Sequence, residues 1–440
     1  MKSTFMIAAT GSGKGKTTFV TGLLQLLKDQ GVHAFKCGPD YIDPMFHKEV
    51  LKIPSTNLDS FFCDETLLKK IFINNAGDIN IIESAMGLYD GIGTSSRASA
   101  YETACNLNCP IVLLVDGYGM GYSIVPLIKG FINEDTNKLI KGVVINRISE
   151  KYYLKIAPVI EHEIGIKTFG YIPKINGVKF SSRHLGLLSP EENNFSEKID
   201  LVADQIKRSV DIGEILKECR LDRTSIIKHG EDNTDNSHTV NKDLSDKVIA
   251  VARDEAFTFC YDENIKLLSE LGANIKYFSP IHDKGIPEDS DVVIFYGGYP
   301  ENYAMELSKN RSMLCSVRTL LERRIKIIAE CGGFMYLLDT MKVDDTQYEM
   351  ASVIHGSSYR TKGLVRFGYV NVNYKDGSMK AHEFHHFDTE NVEYSDEFVV
   401  KNESSGVEYS GIVFDENILA GFPHMYYRSN PELIIDFIKG

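Results

Sequence analysis

The stretch that most limits what this chain can fold into is STFMIAATGSGKGKTTFV, residues 3–20. It couples an apolar run to a glycine-rich loop and then to a helical pattern. A strand that is apolar on both faces must be covered on both, which is the habit of parallel sheets flanked by helices. A glycine loop between such a strand and a helix aims the helix N-terminus at whatever the loop cradles. The loop reads as a phosphate site. Gly11, Gly13 and Gly15 let backbone N–H groups close on an anion, Lys16 lies along the outer phosphates, Thr17 is placed for a magnesium ion, and Thr18 completes the pattern. Thr10 stands where the usual loop has its first glycine, and the glycine spacing departs from a dinucleotide fingerprint.

The same alternation continues downstream. Predicted strands at 4–8, 32–36, 79–83, 111–116, 142–146 and 168–172 interleave with amphipathic helical segments such as 17–30, which stops at Gly31. The polar stretch DRTSIIKHGEDNTDNSHTVNKDLSD, residues 222–246, reads as a linker. Strands then resume at 247–253, 291–296 and 325–329, with a helix over 261–271, and after Lys362 the pattern turns to β in GLVRFGYVNVNY. The expectation is an α/β chain in two parts, residues 1–221 and 247–440, joined by 222–246. A chain of 440 residues is long enough for two cores.

Composition removes several classes. A formal charge of −13 argues against a nucleic-acid partner or an anionic membrane surface, both of which demand a basic face. No apolar run reaches the ~18 residues that a membrane span needs. The eight cysteines lack zinc-knuckle spacing, so a reducing cytoplasm is the expected setting.

Two further groups carry chemistry. FKCGPDYIDP supplies Asp40, Tyr41 and Asp43 after the second strand, and IIESAMGLYDG supplies Glu83 and Asp90 after the third. Carboxylates beyond the C-terminal ends of parallel strands stand where open α/β sheets place ligands, and oxygen donors suit Mg²⁺ on a nucleotide, with Asp40 and Glu83 joining Thr17. Turn or cap roles serve Asp40, Asp43 and Asp90 as well. Asn146, ending GVVIN, has an amide that could read an adenine edge or close a turn; Arg183 and His184 in SSRHLGL suit an anion or loop packing equally. In the second part, IKIIAECGGFMYLL places Cys331 on a tight strand-to-helix turn, the setting of a nucleophile whose thiolate a helix N-terminus favours. His382, His385, His386 and His424 are all candidate bases. Gly297 and Gly298 in YGGYPE offer consecutive N–H groups for an oxyanion hole.

Taken in order, GSGKGKTT, FKCGPDYIDP, NLDSF, IESAMGLYDG, GVVINR, SRHLGL, VARDEAFTF, FSP, GGYPE, AECGGFMYL and HEFHHF run through the whole chain. Together they resemble the cobyrinate a,c-diamide synthase family of glutamine-dependent ligases, from which a related nickel-sirohydrochlorin a,c-diamide synthase is barely separated by motif. The resemblance implies a dethiobiotin-synthetase-like P-loop domain followed by a class I glutamine amidotransferase-like domain. It implies Cys331 as glutaminase nucleophile with His424 as base, and Asp40, Asp43, Glu83 and Asp90 serving ATP–Mg²⁺ and tetrapyrrole carboxylates. GFPHMYYRS keeps only His424, and no glutamate stands two residues beyond it, so a Cys–His dyad is expected. The competing class is a regulatory P-loop ATPase with a non-catalytic appendage; a synthase amidating other side chains of the same ring is a third reading. Homodimerisation is undecided by the sequence.

Overall fold

Phe5, Met6, Ile7, Ala8 and Ala9 have no exposed surface, because their strand lies at the middle of a sheet. The computed structural model describes residues 3–175, 177, 195–221 and 243–440. Arg183, His184 and nearly all of 222–246 lie outside them. The chain divides into two units, Met1–Ser237 and His238–Gly440.

In the first unit the strands are β1 (Ser3–Ala9), β2 (Val32–Cys37), β3 (Ser55–Leu58), β4 (Ile79–Glu83), β5 (Ile111–Asp116), β6 (Ile140–Asn146) and β7 (Lys167–Ile172). They form one seven-stranded sheet in the order β3-β2-β4-β1-β5-β6-β7, parallel at every pairing. β1 therefore has β4 on one side and β5 on the other, the strand order reversing where open α/β sheets hold ligands. The helix α1 (Lys16–Leu27) follows β1 and runs through a 3-10 turn into Gly31, whose φ of 66° gives a left-handed end. It packs so closely on the helix Phe195–Ser209 that a Cβ on Gly22 would lie 2.6 Å from Val202. β3 escaped the pattern reading: STNL is short, polar and at the sheet edge, with no alternation to detect.

The second unit begins with β8 (Val248–Ala252), β9 (Asn274–Phe278), β10 (Val292–Phe295) and β11 (Lys326–Glu330). It continues with β12 (Thr340–Val343), β13 (Thr346–Glu349), β14 (Ser357–Arg360), β15 (Arg366–Tyr374), β16 (Gly377–His385) and β17 (Phe387–Glu390). Last come β18 (Phe398–Asn402), β19 (Glu408–Tyr409), β20 (Ile412–Phe414), β21 (Ile418–Gly421) and β22 (His424–Met425). Its main sheet has the order β20-β21-β11-β10-β8-β9, parallel except for β20. Two smaller sheets, β13-β12-β14-β17 and β19-β18-β15-β16-β22, account for the β-rich end. In the latter the GLVRFGYVNVNY alternation becomes β15, with Val370 and Val372 fully buried. β9, with two exposed and two half-buried residues at the sheet edge, is likewise a strand that periodicity misses.

Candidate active sites

The first site grows from the turn between β1 and α1. Gly15 sits at the N-terminus of α1 with φ 92°, and a Cβ there would lie 2.4 Å from Asn146 Nδ2, so both conformation and space require glycine. The Asn146 amide donates to the Lys14 carbonyl at 2.8 Å, and its oxygen accepts from Arg147 N. Asn146 thus braces the phosphate loop, and both ends of its amide are in use. Lys14 also pairs with Asp116 at 3.4 Å, and Asp116 with Arg147. Lys16 is buried and donates to the carbonyls of Met86 and, at 3.4 Å, Gly11. Burial, then the nearby Lys36 ammonium, lower its pKa to about 8.

Thr17 Oγ1 donates to Glu83 Oε1 at 2.8 Å. Around that pair stands a residue the sequence reading passed over: Lys36. Its ammonium pairs with Asp43 and lies 3.3 Å from Glu83 Oε1 and 3.6 Å from Asp40 Oδ2. Burial alone would strip its proton, but Asp43, Glu83 and Asp40 together hold it charged well above the ordinary lysine range. A lysine inside VHAFKC, every residue of which is buried, was the available signal. Asp40 has two tasks. Its Oδ1 accepts from the backbone N–H groups of Ile42 and Asp43, capping the helix α2 (Ile42–Glu49), and its Oδ2 faces Lys36. Burial and the neighbouring Asp43 push its carboxyl above the usual range. Tyr41, half-buried, lies at the same helix start. Asp90 Oδ2 accepts from Gly87 N at 2.8 Å, closing a turn whose Gly87 would, with a Cβ, come 3.2 Å from the α-carbon of Gly11.

The donor set suits Mg²⁺. The Thr17 hydroxyl and Glu83 Oε1 are hard oxygens 2.8 Å apart at the helix start, the donor type that Mg²⁺ prefers. Asp40 fits less well, with one oxygen committed to the cap.

The second site grows from the turn after β11. Cys331 itself takes φ 48° and ψ −108° at the start of the helix Gly332–Leu337, a strained conformation of the kind stored at functional turns. Its N–H is held by the Gly421 carbonyl at 2.8 Å, across the β11–β21 pairing. Glycines pack the turn from below: a Cβ on Gly333 would lie 2.1 Å from Phe295 O, and one on Gly332 would lie 3.1 Å from Gly298 N. Gly297 and Gly298 thus reach the same end of the sheet as Cys331. Burial, and after it Glu301, push the Cys331 thiol upward. The start of the following helix still favours the thiolate through Gly332 N–H, but desolvation outweighs the end of a helix of six residues.

The structure also separates the four histidines. His386 is exposed, with Nδ1 3.1 Å from Gly363 O. His385 bonds Phe387 O at 2.7 Å and stacks on Phe422, ring centres 4.0 Å apart. His382 and His424 face each other across β16 and β22. Of these, His424 lies against the glycine pair, since a Cβ on Gly297 would come 2.3 Å from its Cε1. Burial lowers both His382 and His424 to about 3, so each imidazole is neutral. Glu301, three residues past Gly298, is also brought to this site: burial raises its carboxyl to about 7, and Arg360 is 3.9 Å away. Sequence reading had used YGGYPE only for its glycines.

Comparison with known proteins covers both units. Residues 5–187 match the CobQ/CobB/MinD/ParA nucleotide binding domain, and residues 248–432 match the CobB/CobQ-like glutamine amidotransferase domain. Fold, phosphate loop and cysteine turn thus define a nucleotide-binding domain and a glutamine amidotransferase domain on one chain. Relatives along the full length are named cobyrinate a,c-diamide synthase. That of Clostridium tetani is 37% identical over 100% of this chain and 99% of its own. That of Clostridium acetobutylicum is 38% identical over 99% and 98%, and that of Salmonella typhimurium 35% over 98% and 96%. The chain belongs to the cobyrinate a,c-diamide synthase family.

Proposed function

We propose that this protein amidates the a and c side-chain carboxylates of cobyrinate, using ATP and ammonia released from glutamine. The observation that carries the reading is the strained Cys331 turn beside Gly297 and His424, in the same chain as a phosphate loop. A regulatory ATPase has no use for such a turn.

A carboxylate is a poor acyl donor and must first be activated. In the first unit the loop of Gly11, Gly13 and Gly15, with Thr18 at its helix end, would bind the phosphates of ATP, and Lys16 would lie along the transferred one. Asp40, Tyr41, Asp43 and Asp90 would border the tetrapyrrole carboxylate, and Lys36 would neutralise the charge that gathers as carboxylate and phosphate approach. Mg²⁺, held by Thr17 and Glu83 with Asp40 nearby, would screen the phosphate oxygens when bound. The carboxylate oxygen attacks the γ-phosphorus, ADP leaves, and an acyl phosphate forms. Ammonia then attacks the acyl carbon and inorganic phosphate departs.

In the second unit, His424 takes the Sγ proton of Cys331 as the thiolate adds to the glutamine amide, and the Gly297 and Gly298 N–H groups receive the developing oxyanion. Ammonia leaves with the proton, and water hydrolyses the thioester to glutamate. Glu301 and Arg360 carry the charges complementary to the ammonium and carboxylate of free glutamine. The neutral resting pair is supported by the burial of both groups. The setting is cytoplasmic, a reading supported by eight free cysteines; among the described residues no helix is long and apolar enough to cross a membrane.

The test is direct. The protein is incubated with ATP, Mg²⁺ and glutamine and either cobyrinate or nickel sirohydrochlorin, and each carboxylate-to-amide conversion is followed by mass. Two successive conversions of cobyrinate are expected. Conversion of nickel sirohydrochlorin alone would reassign the substrate, and ATP hydrolysis with neither ring altered and no glutamate formed would overturn the reading.

A further inference from the structure

The helix after β2 carries one buried group that the chemistry above does not use. His47, on α2, is fully buried, as is Glu83. Its Nδ1 is 3.1 Å from Ser55 Oγ on β3, and its Nε2 faces Glu83 Oε2 at 3.9 Å. The other carboxylate oxygen, Oε1, is taken by Thr17 at 2.8 Å and Lys36 at 3.3 Å. Neither His47 Nε2 nor Glu83 Oε2 has a hydrogen-bond partner among the described residues.

We propose that His47 is a positioning residue for Glu83: its Nε2–H, fixed by a Ser55 hydroxyl donating to Nδ1, holds Oε2 while Oε1 stays aimed at Thr17. A carboxylate can only accept, so the hydrogen must sit on Nε2, which leaves Nδ1 as acceptor for the serine hydroxyl. As a neutral ring, the fully buried imidazole donates from Nε2 without adding a second cation beside Lys36. At 3.9 Å the contact is longer than a hydrogen bond; contacts of this kind tighten when the reacting complex assembles. Ser55, on the edge strand β3, would then reach the nucleotide through one ring, giving a polar strand the periodicity missed a reason for its composition. The inference rests on the reading of Glu83 as a nucleotide-site residue.

The experiment uses the full chain with ammonia as nitrogen donor, which bypasses Cys331. His47→Phe is expected to lower kcat about 10–100-fold, the range seen when outer partners of a site residue are removed, with the KM for ammonia unchanged. His47→Gln, whose amide N–H can stand in for Nε2–H, recovers most of that loss, and Ser55→Ala falls between. Nitrogen NMR of histidine-labelled wild-type protein should show a neutral His47 protonated at Nε2, with its signal moving in Glu83→Gln. Equal losses in His47→Phe and His47→Gln, or a proton found on Nδ1, would overturn the relay while leaving Glu83 in place. An unchanged ligation rate in Glu83→Gln would instead overturn the site reading beneath it. Should His47→Phe not fold, the wild-type tautomer decides alone.

Discussion

The turn from β1 into α1 and the turn from β11 into the helix Gly332–Leu337 each place one side chain, Lys16 and Cys331, beyond the C-terminal end of a parallel strand. In the first, glycines carry the left-handed backbone, Gly13 at φ 70° and Gly15 at φ 92°; in the second, Cys331 carries it itself at φ 48°. Their surroundings differ more than their geometry. Lys16 stands near Lys36, Asp43, Glu83 and Asp90, a mixture of opposite charges around a buried ammonium. Cys331 and His424 stand where burial drives both to their neutral forms. Phosphoryl transfer moves negative charge about and needs fixed charges to meet it. Thioester chemistry starts from a thiol and an imidazole that exchange one proton only when substrate arrives. One turn is built to hold charge and the other to postpone it.

The charged turn should break hardest when its central cation is removed. Lys36→Met leaves Asp40, Asp43 and Glu83 facing one another without a counter-ion, and ammonia-driven ligation should fall by roughly 10²–10³-fold. Stability should drop by about 3–5 kcal/mol, the usual result of orphaning a buried charge. Both are read from steady-state rates and denaturant melts, and a variant with ordinary ligation would remove Lys36 from the site. The neutral turn should break by steric displacement. Gly297→Ala puts a methyl into the His424 ring, and glutaminase turnover should fall by about 10²-fold, with ammonia-driven ligation preserved. Wild-type glutaminase turnover in this variant would detach His424 from the reaction.

Acid sharpens the contrast more gently. His382 is held at about 3 in the folded chain but titrates near its ordinary value of ~6.5 when unfolded. The unfolded state therefore binds the extra proton first, and stability is lost as pH falls from about 6.5 toward 3. Relative to His382→Phe, wild type should lose stability across that window and not above it. A difference that is flat with pH would mean His382 is not kept neutral.

What could be read from the sequence was what is contiguous. GSGKGKTT and AECGGF each hold their whole geometry in a few residues, so the loop and the cysteine turn were legible before any fold. Lys36 was not, because its meaning depends on β2 lying beside β4, which brings it to Glu83. The four histidines could not be ranked by pattern either. The register of β22 against β16 and the approach of Gly297 to His424 separate them, and both are long-range facts. Asn146 shows the reverse: the position was noticed, but its amide is engaged by Lys14 and Arg147, a use no strand-end pattern announces.

Division of labour between the two turns is the central claim, and nitrogen-donor replacement in Cys331→Ala tests it most directly. Ligation is measured with glutamine and then with ammonia, beside Glu83→Gln under the same conditions. The account predicts that Cys331→Ala loses glutamine-driven amidation and retains the ammonia-driven rate. Glu83→Gln should lose ligation with either donor while still releasing glutamate from glutamine. Loss of both donors' reactions in a folded Cys331→Ala protein would contradict it.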